Sequence, residues 1–148
     1  MHIWVDADAC PVALRDLLFR AAERTRTPTT LVANAYLRLP PSAWINSIQV
    51  EQGFDVADRY IISKIQSGDL VITQDVPLAA QAIDRGAKAL NHRGELLTST
   101  NIGDRLATRN LLQDLRDAGL AQSSQNALSL RDRQLFASEL ERQLRPSS

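Results

Sequence analysis

The sequence predicts an α/β fold of three layers: a mostly parallel central sheet of about five strands flanked by helices, with a helical C-terminal extension. Three observations predict it. Short apolar runs such as "LVIT" at 70–73 alternate with segments of helical period. The resulting β–α–β–(β)–α–β–α–β rhythm places helices on both faces of a parallel sheet. Beyond Arg93-Gly94 the strand-like runs stop and only helical patterns follow. The chain has 148 residues, the size of a single domain able to bury a real core. That domain is expected to span 1–148, with its core at about 1–95 and C-terminal helices at about 101–144.

Each element has a local reason. Residues 2–5 read as a short buried strand. From Pro11, the apolar positions Val12, Leu14, Leu17, Leu18, Ala21 and Ala22 trace one helical stripe, with proline at a favoured first-turn position. "TTLVAN" at 29–34 is the next strand and Ser47–Val50 a weaker one, after a loop at Pro40-Pro41-Ser42. Gly53 introduces a helix from about Asp55 to Gln66. Gly68-Asp69 turns into "LVIT", Val76–Arg85 is a helix closed by Gly86, and "AKAL" at 87–90 is the fifth strand. Residues 101–118 and 129–144 are helical, the second capped by Ser129. A polar connection, "GLAQSSQNALS", separates them.

Composition narrows the function classes. No apolar run approaches the roughly 20 residues that span a bilayer, so no membrane partner is expected. The N-terminus shows no basic n-region or cleavage site, and a cytoplasmic, bacterial-type location is expected. The single cysteine, Cys10, gives neither an intrachain disulfide nor zinc-site spacing. It is expected to be structural, since the Cys-x5-Arg phosphatase pattern fails at Asp16. His2 and His92 lack partners at ligand spacing and are expected at the surface or at strand ends. The 17 basic and 17 acidic residues cancel overall, yet residues 1–84 carry 7 and 10 of them and residues 85–148 carry 10 and 7. The C-terminal part is therefore the more cationic. Arginine supplies 15 of the 17 cations, which suits pairing with phosphate or carboxylate.

Carboxylates fall where such a sheet binds ligands, outside the carboxyl ends of its strands. Asp6 and Asp8 follow the first strand, and Asp75 follows "LVIT". The helix of 55–66 runs antiparallel to that strand, so its N-terminus, with Asp55 and Asp58, lies at the same edge. Asp58 also shares the apolar stripe of Ile61, Ile62 and Ile65. Asn34 and Asn91 close two further strands at this edge. Asp69 precedes its strand and belongs to the opposite edge. Two carboxylates at about 4 Å repel by roughly 4 kcal/mol at an effective dielectric near 20. Such a cluster must take up protons, spread into water or bind a cation. Oxygen ligands without His or Cys select Mg²⁺ or Mn²⁺. Taken singly, each acid has a plainer use as a helix cap or first-turn charge, and capping is the expected use of Asp55.

The segments "WVDADACPV", "LVAN", "GFDVADRYI", "GDLVITQDVPLAAQAI", "GAKALNHRGE" and "LSLRDRQLFASEL" cover nearly the whole chain in order. They resemble the YaiI/YqxD family of bacterial proteins, which is grouped with the PIN-like nucleases. The PIN-like resemblance rests on three aspartates, matched here by Asp6, Asp58 and Asp75. It implies a metal-dependent ribonuclease or related phosphodiesterase with Mg²⁺ or Mn²⁺ held by those three. The first functional expectation is therefore a phosphodiesterase acting on RNA or DNA. In it Asp6, Asp58 and Asp75 hold the metal, Asp8 supports them, and Asn34, Asn91, Arg93 and Arg109 meet the substrate. A non-catalytic metal- or nucleic-acid-binding module is the alternative. An Asp-x-Asp phosphatase with Asp6 as nucleophile fits less well, because Pro11 and Val12 depart from its pattern and the only lysines are Lys64 and Lys88.

Overall fold

The computed structural model describes residues 1–53, 55–120 and 127–145. The polar connection of 119–129 falls largely outside the described residues. Strands β1 (Ile3–Asp6), β2 (Thr29–Ala33), β3 (Ile45–Gln49), β4 (Leu70–Ile72), β5 (Lys88–Leu90) and β6 (Leu96–Leu97) form one sheet in the order β3-β2-β1-β4-β5-β6. All pairings are parallel except β5 with β6. Ile3 stands between Thr29 and Leu70, and Val5 between Leu31 and Ile72. The five parallel strands are those expected. The sixth is a two-residue antiparallel strand, too short to show a period of its own.

Strand alternation assigns the two faces. Ile3, Val5, Leu31, Ile72 and Leu90 pack with Leu14 and Leu18 of α1 (Val12–Thr25) and with Phe136 and Leu140 of α5 (Leu130–Leu144). Trp4, Val32, Val71 and Ala89 pack with Ile61 and Ile62 of α2 (Val56–Lys64) and with Leu78, Ala79 and Ala82 of α3 (Val76–Asp84). The central strands β1, β2 and β4 are covered on both sides, which explains their near-continuous apolar runs. Edge strand β3 is only half buried.

The C-terminal helices divide into two kinds. Helix α5 opens with a complete capping box, Ser129 accepting from the Asp132 N–H and Asp132 accepting from the Ser129 N–H. Its Phe136 and Leu140 belong to the core, so α5 closes the first face and is no appendage to a core ending near residue 95. Gly94 permits this approach. A Cβ there would stand 2.5 Å from the Leu135 carbonyl carbon, and its φ of +85° also favours glycine. Helix α4 (Ile102–Asp117) instead buries no residue and lies against α3. Among the described residues no helix is long and apolar enough to cross a membrane.

The strand order positions the site. From β1 the chain moves to β2 and β3 on one side, then crosses back to β4 on the other. Beyond the carboxyl ends of β1 and β4 lies the crevice where such sheets bind ligands.

Candidate functional site

Asp6 ends β1 and Asp75 follows β4, so the fold sets one carboxylate on each side of that crevice. Thr73, buried beyond the end of β4, links them. Its hydroxyl donates to Asp6 Oδ2 at 3.0 Å and accepts from the Asp75 backbone N–H at 3.0 Å. Asp75 also caps α3, its Oδ1 accepting from the Leu78 N–H at 3.1 Å. The plainer capping role is thus real, and it fixes the carboxylate at the edge. Asp58 lies in the first turn of α2 and lines one cleft with Asp75.

Electrostatics mark these groups as mutually costly. Burial pushes the Asp58 carboxyl up to about 7, with further upward pressure from the charges of Asp75, Asp6 and Asp55. Burial and neighbouring negative charge both favour the protonated form of the Asp58 carboxyl. Burial raises Asp6 as well; the Thr73 hydroxyl opposes that rise, and Asp75 and Asp8 add to it.

Asp55, Asp58, Arg59, Asp75, Pro77, Gln81 and Arg109 line one cleft of about 330 Å³. Arg109 comes from α4, so the helix without a buried residue contributes a wall of the site. Among the described residues neither arginine of this cleft forms an ion pair. Arg59 Nε leans on the Asp55 carbonyl at 3.4 Å and Arg109 Nη1 on Asn110 Oδ1 at 3.3 Å. Anionic and cationic groups therefore share a cleft without neutralising one another.

The other expected site residues are engaged elsewhere. Asp8 accepts the Asn34 backbone N–H on both oxygens, at 3.1 and 3.0 Å, tying the end of β2 to the 3₁₀ turn of Ala7–Ala9. It does not cap α1, whose N-cap is Pro11. Asn91 shapes the turn into β6, its Oδ1 accepting from the Arg93 and Glu95 N–H groups. Arg93 pairs with Asp132 of α5 at 2.7 Å. Asp55 occupies the N-cap position of α2 yet makes no capping bond, and its φ is +63°; its use is a left-handed backbone rather than the expected cap. Cys10 is buried, and burial pushes its thiol up to about 12, which agrees with a structural role.

Sequence reasoning missed Thr73, Arg59 and Gln81. Thr73 carried a usable signal, because a Thr two residues before a helix-capping Asp is an ST-turn pattern. Arg59 and Gln81 sit on exposed helix positions and carried none.

The donor chemistry fits a hard divalent cation, since every carboxylate is an oxygen ligand and the crevice lacks a thiolate. Among the described residues, however, no three His, Cys, Asp or Glu side chains are grouped closely enough to hold a metal ion as they stand.

Comparison with known proteins gives relatives along nearly the full length. A UPF0178 protein of Dechloromonas aromatica is 55% identical over 142 residues, covering 96% of this chain and 95% of the relative. One from Klebsiella pneumoniae is 54% identical over 144 residues, 97% and 95% of the two chains. The UPF0178 protein YaiI of Shigella flexneri is 53% identical over 142 residues, 96% and 93%. No solved structure matches the chain. The family described as "Uncharacterized BCR, YaiI/YqxD family" matches residues 4–146. With half of the chain far exceeded by that match, the protein belongs to the YaiI/YqxD family.

Proposed function

We propose that this protein is a PIN-like, metal-dependent phosphodiesterase acting on RNA or DNA, with Mg²⁺ or Mn²⁺ held by Asp6, Asp58 and Asp75. One observation supports the reading: Asp6 and Asp75 flank the switch point between β1 and β4, Asp58 lines one cleft with Asp75, and Asp58 is driven up to about 7 there. A cation would relieve the repulsion among these carboxylates. When bound, such an ion lowers the pKa of a water and stabilises the leaving oxygen.

The chain's own residues supply the rest. Thr73 fixes Asp6, and the α3 cap fixes Asp75. Arg59 and Arg109, which line the cleft, neutralise the phosphate as it approaches. Gln81 offers an amide to the same space. A second reading, a binding module without turnover, is favoured because, among the described residues, no three His, Cys, Asp or Glu side chains group closely enough to hold a metal ion. Cleavage of a labelled oligonucleotide with Mn²⁺, present in wild type and lost in Asp75→Asn, supports the enzyme. Binding without cleavage at any divalent metal leaves the module.

A further inference from the structure

Residues 34–40 leave the carboxyl end of β2 beside Asp8, where the Asn34 N–H is held by that carboxylate. Burial then alternates. Leu37 and Leu39 pack against the core on the α1 side, while Tyr36 before Leu37 and Arg38 between the two leucines are exposed. An alternating segment is an extended one, so the two outward side chains stand about 7 Å apart along the chain. Tyr36 is 81% exposed, and among the described residues it is the only aromatic of the exposed large hydrophobic residues. Among the described residues Arg38 forms no ion pair.

An exposed aromatic ring on a backbone pinned from both sides loses little conformational freedom when it stacks against a ligand. A guanidinium one step along, free of a carboxylate, suits a phosphate. We infer that Tyr36 and Arg38 form a platform for single-stranded nucleic acid, a base stacking on the Tyr36 ring while Arg38 holds the neighbouring phosphate. The inference rests on the phosphodiesterase reading for its direction, since the strand leaving the platform reaches the Asp8 side of the acidic edge. A base inside a duplex is stacked on both faces by its neighbours and has none to offer the ring, so duplexes are disfavoured.

The test is fluorescence anisotropy of labelled oligo(U) and oligo(dT) with full-length protein in EDTA, where metal-dependent cleavage cannot occur. Tyr36→Ala should weaken binding at least about 5-fold, and Tyr36→Phe should bind like wild type. Arg38→Ala should weaken both oligomers and reduce the salt slope by about 0.7. A duplex of equal length should bind more weakly than either single strand. The platform is overturned if Tyr36→Ala binds like wild type, if the duplex binds equally well, or if wild type binds neither oligomer. Cleavage assays with Mn²⁺ separate the two ideas. Wild type that binds through Tyr36 but never cleaves retains the platform and ends the nuclease reading. Wild type that cleaves, with binding unchanged in Tyr36→Ala, ends the platform alone.

Discussion

Strand β4 has an aspartate at each end, and the fold serves the two in opposite ways. Asp69, before the strand, is only 8% exposed and accepts three N–H groups: His2 N at 3.0 Å, Trp4 Nε1 at 3.1 Å and Gln66 N at 2.9 Å. Asp75, after the strand, has one backbone donor and shares a cleft with Asp58, whose carboxyl its charge helps to raise. The more deeply buried acid is thus the better satisfied. Burial alone does not mark a functional carboxylate; the balance of donors against neighbouring charge does. Asp69 joins the N-terminus, Trp4 and the α2–β4 turn, which is structural work. At the other edge the carboxylates repel, which is a standing cost to the fold.

The largest effect that could break this comparison is at Asp69. Asp69→Ala leaves three donors without their acceptor, two of them from the buried neighbourhood of Trp4, and should cost roughly 3–5 kcal/mol. Urea unfolding measures it. A loss below about 1 kcal/mol would mean that water replaces the carboxylate, and the division between the edges would fail.

The second effect runs the other way. Mn²⁺ at about 100 times its Kd should add about 2.7 kcal/mol to wild type, and Asp58→Asn should lose most of that gain. An unchanged melting temperature in wild type at millimolar Mn²⁺ counts against a metal at this edge.

A smaller effect is the pH dependence. The folded pKa of Asp58, about 7, lies above its ordinary 3.8. Between those values the folded chain keeps a proton that the unfolded chain has released. This contribution is fully present below about pH 4 and is lost as pH rises through about 7. Asp58→Asn removes it, so the stability of the variant relative to wild type should grow from pH 4 to 7 and then level off. Asp58 is half-exposed, and solvent screening holds the change to the order of 1 kcal/mol. Parallel melting curves of the two proteins across that range would refute the assignment.

How much of this was legible in the sequence follows from which signals are local. Strands β1 to β5 and the five helices announce themselves by apolar period, and the parallel order puts Asp6 and Asp75 at one edge. The helical phase of Ile61 and Ile62 turned Asp58 inward from sequence alone. Pairings between distant segments were not legible. The Asp8–Asn34 and Arg93–Asp132 contacts depend on tertiary approach, and Arg59 and Gln81 join the cleft only because α2 and α3 pack together. Strand β6 exists because β5 offers it an edge, and the role of α5 as core depends on Gly94 letting it close.

The smallest effect concerns Asp55, which separates backbone from charge within one residue. Its φ of +63° lies in the left-handed region, where Asp and Asn are tolerated better than most residues and a bulkier side chain costs about 1–2 kcal/mol. Its carboxylate makes no capping bond to α2, so removing the charge takes no hydrogen bond from the helix. The same charge is one cause of the raised pKa at Asp58. Asp55→Asn should therefore change stability by less than about 0.5 kcal/mol, keep the Mn²⁺ response, and lower the pH at which Asp58 titrates. Asp55→Leu should lose about 1–2 kcal/mol through the backbone while producing the same downward shift at Asp58. Carboxyl NMR titration reads the shift and urea unfolding reads the stability. If Asp55→Asn instead abolishes the Mn²⁺ response while Asp58→Asn retains it, Asp55 rather than Asp58 is the helix-borne ligand, and the cation sits at the mouth of the cleft instead of against Asp75.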